Sequence, residues 1–268
     1  MMSFRLSKLL APIMGQRLKD ISRTAEFLWI LSLMRSGSSL LTHLLVNHPR
    51  IEGFGECWIR YEGTSDFQEL IARVRLYNAL ERLCRRRYDR PGDQQIILDK
   101  LLHNKLLPCL ELLNEPQLKL IFLLRQPHDI VTSLLRAGKP FPHSGSLEVA
   151  AGYCTSRLQA LKRYASSIHE PRKSLALHYE RLVDRTQGTL QCLQAFLELN
   201  RPLTESYELS IATGIVGLGD PTKLIKTGRV VKKHRPPPFD IPKEILRDCN
   251  REYNCCQEAL AKKGVAVV

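Results

Sequence analysis

Phe27-Leu28-Trp29-Ile30-Leu31-Ser32-Leu33-Met34-Arg35-Ser36-Gly37-Ser38-Ser39-Leu40-Leu41-Thr42-His43-Leu44-Leu45-Val46-Asn47 is the stretch whose reading decides the fold. Its first seven residues are an apolar run with the length and content of a strand buried on both faces of a parallel sheet. Leu40, Leu41, Leu44 and Leu45 then recur at helical spacing. The small residues between turn a strand into a helix and aim several backbone N–H groups at one point. Such a point attracts an anion, because unpaired donors and the helix dipole act together. Arg35 adds a formal charge, and the hydroxyls of Ser36, Ser38 and Ser39 add donors around Gly37. The loop reads as a phosphate cradle, with an ordinary Ser/Gly turn at a helix start as the plainer alternative.

The same alternation continues along the chain. Residues 95–98, 118–124 and 174–179 read as short buried strands. Residues 66–88, 101–113, 128–136, 146–168, 187–199 and 242–262 read as helices, the second with Pro108 as a kink or break and the first stopped by Pro91-Gly92. Residues 57–66 read as a loop, and 213–239 carries Gly, Pro and Lys without a clear element. Nearly all-apolar strands alternating with helices mean an α/β fold in three layers, a central parallel sheet with helices on both faces. Residues 27–268 are read as a single domain, preceded by a basic amphipathic segment, 1–26.

In that segment no acid precedes Asp20, and Leu6, Leu9, Leu10 and Ile13 share a stripe between Arg5, Lys8 and Arg17. A helix packed on the domain is the plain reading; peripheral contact with a membrane, or organelle targeting, are the alternatives. No apolar stretch approaches the roughly 20 residues of a bilayer span. The 40 Lys and Arg against 27 Asp and Glu leave a net charge of +13, which calls for an anionic partner. The 8 cysteines include no CxxC pair and no Cys/His zinc spacing, so they read as reduced thiols of a cytoplasmic protein without a metal site.

Arg125 stands directly after the strand 118–124, as Arg35 stands after 27–33. In an open α/β sheet both face the crevice at the carboxyl ends of the strands. Ser133 follows Arg125 by eight positions, two turns into a helix. The Walker frame of ATPases is missing from the first loop. With a proline close after Arg125, the pair of motifs instead resembles the sulfotransferases that use 3′-phosphoadenosine 5′-phosphosulfate (PAPS), which share a P-loop-like architecture. The resemblance spans about residues 27–235. It implies that Arg35, Ser36, Gly37, Ser38 and Ser39 hold the 5′ end of PAPS and that Arg125 and Ser133 hold its 3′-phosphate.

It also implies the reaction: in-line transfer of a sulfuryl group to the hydroxyl of a small molecule, a carbohydrate or a tyrosine, without a metal. Glu56 lies in a segment similar to that of the catalytic glutamate of tyrosylprotein and related bacterial sulfotransferases, with the spacing from Arg35 that the former show. It is the expected base, with Glu52 as fallback, while His43 and His48 read as structural. Lys100 resembles the lysine that touches the transferring sulfonate, although Leu101-Leu102 replace the usual Ser/Thr-Pro. Arg35 would share the stabilisation of the leaving phosphate. In the late basic stretch Lys226 and Arg229 are the expected nucleotide contacts, and Leu177–Leu182 resembles a family segment read as packing. The alternatives are a non-catalytic anion- or nucleotide-binding protein on the same fold and a P-loop kinase. No aromatic-interleaved motif accompanies Arg85-Arg86-Arg87, so no specific nucleic acid is expected.

Overall fold

The structure, a computed structural model, describes residues 24–85, 95–137, 143–214, 224–232 and 240–268. The N-terminal basic segment therefore lies outside the described residues, as do residues 86–94 and most of the late basic stretch. In chain order the elements are β1 (Glu26–Ser32), α1 (Ser38–Val46), β2 (Ile51–Glu52), α2 (Asp66–Arg85), β3 (Ile96–Leu101), β4 (Leu118–Leu124), α3 (Pro127–Ala137), α4 (Leu147–Ser167), β5 (Ser174–His178), α5 (Tyr179–Asp184), α6 (Thr186–Phe196), α7 (Lys243–Lys262) and β6 (Ala266–Val267). Short 3₁₀ turns add Leu110–Asn114, Pro171–Lys173 and Leu224–Thr227.

The strands form one sheet in the order β2-β3-β1-β4-β5-β6, with every pair parallel. β1 is central, with β3 on one side and β4 on the other, so the chain reverses its winding beside it. That is the switch point at which α/β sheets open a crevice. Along β1 the side chains alternate between two cores. Phe27, Trp29 and Leu31 pack with α2, α3, α4 and α7, while Leu28 and Ile30 pack with α1, α5 and α6. Both faces are covered, which is why the strand sequences are apolar without a polar alternation.

Local signals set the helix starts. Ser146 caps α4 by accepting from the Val149 N–H, and Pro127 opens α3 at the position where its missing N–H costs no bond. Gly37 precedes α1 with φ 88 and could not be replaced without collision: a Cβ there would stand 2.2 Å from the Tyr179 ring.

Two expectations fail, and two short strands went unread. The helix read over 101–113 is absent: Leu101 ends β3, 102–109 is irregular, and only Leu110–Asn114 is helical. The carbonyls of Leu101 and Leu102 are taken by the side chains of Arg157 and Tyr153, and Pro108 withholds a donor, so helical bonding has no chance to form. Tyr179, read as a strand end, opens α5. The two-residue strands β2 and β6 carry too little pattern to be read at all.

Candidate functional site

A cavity of about 170 Å³ opens at the carboxyl ends of β1, β3 and β4. Its wall includes Arg35, Gly37, Ser38, Ser39, Glu56, Lys100, Arg125 and Arg229. Residues expected from five separate segments thus meet at one crevice. Ser36, Ser133 and Lys226 do not line it.

The anion loop is built by two left-handed residues, Arg35 (φ 65) and Gly37 (φ 88). This turn sends the Ser36 side chain inward, where its hydroxyl donates to the Leu33 carbonyl at 2.6 Å and lies 2.5 Å from the Ser32 hydroxyl. Ser36 is fully buried and steadies the loop from beneath rather than facing a ligand. Ser38 and Ser39 open α1, whose first-turn N–H groups have no carbonyl within the helix to bond. Arg35 Nε donates to the Ser133 hydroxyl at 2.9 Å, so Ser133 joins the site through Arg35. Arg125 donates to the Arg35 carbonyl at 2.7 Å and lies with its guanidinium 4.3 Å from the centre of the Tyr179 ring. Arg125 Nε is buried and has no hydrogen-bond partner among the described residues. A terminal nitrogen of Arg125 stands 3.8 Å from the Asp129 carboxylate, so the unpartnered Nε is the part of the group with donor capacity left for an anion.

The opposite end holds a cluster of three titratable groups. Glu56 accepts a hydrogen bond in a 2.6 Å contact with His103 Nε2, and Lys100 Nζ stands 3.8 Å from its other oxygen. Lys100 also donates to the Ser39 hydroxyl at 3.1 Å, which ties this cluster to the anion loop. The Lys100 side chain is only 2 % exposed and that of Glu56 11 %. A charge pair so removed from water interacts strongly and is held in one geometry. Glu52, the fallback base, ends β2, accepts from Asn78 of α2 and lines a different, smaller cavity.

Asp99 sets both halves of this cluster. It is buried and accepts from the Cys57 N–H and the Lys100 N–H, each at 2.8 Å, and from the Tyr61 hydroxyl at 2.7 Å. Burial raises its carboxyl to about 6, against the pull of those hydrogen bonds. Arg73, anchored on Glu69, donates to the Cys57 and Trp58 carbonyls from the other side. Between these anchors Trp58 is held at φ 56, a left-handed conformation uncommon for a bulky residue, with its ring stacked 4.4 Å from His103. Trp58 is 41 % exposed at the cavity mouth.

Sequence reasoning missed His103, Trp58 and Tyr179 at the cavity. His103 lies three residues after Lys100, where the expected helix would have turned it elsewhere. Tyr179 was assigned to packing, yet its ring forms a wall between Arg125 and Gly37. Of the late basic residues, Arg229 reaches the cavity, whereas the stem of Lys226 lies along Gly214. Among the described residues no group of three or more His, Cys, Asp or Glu could hold a metal ion, and no helix is long and apolar enough to cross a membrane.

Comparisons with known proteins identify the fold and the family. Among the solved structures that share the fold are two sulfotransferase domains. One is a sulfotransferase domain from the curacin biosynthetic pathway, at 21% identity and TM-score 0.56, covering 85% of this chain and 97% of that one. The other is the sulfotransferase domain of the Synechococcus PCC 7002 olefin synthase, at 15% identity and TM-score 0.51, covering 85% of this chain and 94% of that one. No curated protein sequence matches. The family model described as "Sulfotransferase domain" matches residues 26–212, from the start of β1 past α6, and by that match the chain belongs to the sulfotransferase domain family.

Proposed function

We propose that the protein transfers a sulfuryl group from PAPS to an acceptor hydroxyl, with Glu56 as general base. One observation carries the reading: Glu56 and Lys100 stand 3.8 Å apart in a cavity whose far wall is an anion loop opening a helix. Sulfuryl transfer, like phosphoryl transfer, passes through a loose state with charge on the departing oxygen. The protein therefore needs to position two reactants and stabilise that charge. The acceptor oxygen attacks sulfur as its proton passes to Glu56, and the sulfur–oxygen bond to the 5′-phosphate breaks. Lys100 and Arg35 stabilise the 3′-phosphoadenosine 5′-phosphate (PAP) that leaves. His103, bonded to the second Glu56 oxygen, holds the carboxylate toward the acceptor. Arg125 reads the 3′-phosphate, with Ser133 beside it, and Arg229 closes on the nucleotide from the late segment.

Titration calorimetry of the full chain without magnesium tests the donor site. PAP should bind better than ATP and 5′-AMP, and Arg125→Ala should weaken PAP by roughly 10- to 150-fold, the loss of a hydrogen bond to a charged group. Equal binding of all three nucleotides would exclude PAPS as the donor. Fluorescence offers an independent readout, because the 2 tryptophans are Trp29, wholly inside the core, and Trp58 at the cavity mouth. Saturating PAP should change the emission of the wild-type chain and leave that of Trp58→Phe unchanged.

A further inference from the structure

The segment from Leu224 to Lys232 reaches the cavity with Leu224, Ile225, Arg229 and Val231, and Tyr207 holds it there. Ser206 and Arg229 form an antiparallel bridge, the Tyr207 N–H donates to the Gly228 carbonyl at 2.8 Å, and the Val230 N–H donates to the Glu205 carbonyl at 2.9 Å. The Tyr207 hydroxyl donates to the Ile225 carbonyl at 3.1 Å and lies 3.5 Å from that of Arg229. The approach is close: Gly228 has φ 69, and a Cβ there would stand 3.1 Å from the Tyr207 carbonyl oxygen.

Behind Tyr207 stands α1, the helix that begins at the anion loop. The Tyr207 ring lies 5.2 Å from the His43 ring. His43 Nδ1 is 2.8 Å from the Ser39 carbonyl, which can only accept, so Nδ1 donates there, and Nε2 lies 2.8 Å from the Thr213 hydroxyl. One turn further along, Asn47 at the end of the same helix accepts from the Glu208 N–H at 3.2 Å. The last turn of α1 therefore grips the stretch that carries Tyr207. Tyr207 is buried, and its one polar atom is spent on the backbone of the late segment.

We propose that Tyr207, backed by His43, is a positioning residue that sets Arg229 against the donor nucleotide, so that the helix holding one end of the donor also aligns the basic segment at its other end. This rests on the nucleotide reading of the cavity. Tyr207→Phe keeps the ring against His43 and deletes only the hydroxyl. PAP titration of the wild-type chain, Tyr207→Phe, Arg229→Gln and the double variant forms a complete cycle. Tyr207→Phe should weaken PAP by about 3- to 10-fold, the scale of one net hydrogen bond. Arg229→Gln should weaken it by about 10-fold or more, and the double variant should bind as Arg229→Gln does.

Losses that simply add would mean that Tyr207 does not act through Arg229, and an unchanged Tyr207→Phe would overturn the positioning role outright. If that variant fails to fold, Gly228→Ala displaces the same segment from the Tyr207 carbonyl, and the same cycle with Arg229→Gln decides. Wild-type chain that fails to prefer PAP over 5′-AMP overturns the nucleotide reading and the inference together. Preserved wild-type preference with additive variants overturns the inference alone.

Discussion

Glu56→Gln is expected to lower turnover about 10²- to 10⁴-fold while leaving PAP bound as tightly as before, or more tightly. The substitution keeps the shape of the side chain and a polar atom opposite His103, whose contact with Glu56 is 2.6 Å. It removes the capacity to take the acceptor proton. It also removes the negative charge 3.8 Å from Lys100. Lys100 then has more of its field available for an anion, so donor affinity has no reason to fall. The check is to measure PAP release at saturating PAPS across a panel of hydroxyl acceptors, beside PAP titration of the same preparation. Turnover within a few-fold of wild type would remove Glu56 from the mechanism. Loss of PAP binding would show instead that Glu56 organises the donor site.

Arg157→Met should destabilise the folded chain by about 3–5 kcal/mol. Arg157 lies on α4 and is fully buried. Its Nε donates to the Ser32 carbonyl at 2.8 Å and its terminal nitrogens to those of Leu101 and His103, at 2.5 and 3.5 Å. Ser32 ends β1 and Leu101 ends β3, so one guanidinium ties together the strand ends from which Arg35 and Lys100 project. Methionine fills much of the space but donates nothing, and it leaves three carbonyls buried without their partner. At the few degrees per kcal/mol typical of large domains, the thermal midpoint should drop by roughly 10 °C. A midpoint within about 2 °C of wild type would mean that water replaces the guanidinium without penalty.

The parts of this architecture readable from sequence are those whose cause is local. β1 and β4 are buried on both faces, so burial left runs broken only by Ser32 and Lys119, and the arginine after each run marked the crevice. The loop between β1 and α1 was legible as a strand-to-helix turn because a glycine among serines separates two apolar runs. The stretch 102–109 was not legible, because Arg157 and Tyr153, some fifty residues away, set its backbone. With that stretch went His103, whose position depends on the strand running to Leu101. Ser36 was read as facing the ligand for a related reason: only the left-handed turn at Arg35 and Gly37 shows which hydroxyl points inward. The choice between Lys226 and Arg229 had no sequence signal, since the bridge from Ser206 decides it.

The two irregular stretches beside Glu56 divide the labour of the site. The donor side issues from strand ends and helix starts of the central sheet, where a shift of one residue would move the whole core. Residues 53–62 and 102–109 are neither helix nor strand over most of their length, and a few ties hold them: Asp99, Arg73, Arg157 and the bond from the Cys109 N–H to the Tyr61 carbonyl. Lengthening such loops costs little, about 0.6 kcal/mol for each doubling. On the proposed reaction these loops carry Glu56 and His103 and also wall the acceptor side. Changes in loop length that spare those two residues would reshape the acceptor wall and leave the sheet-borne side of the cavity in place.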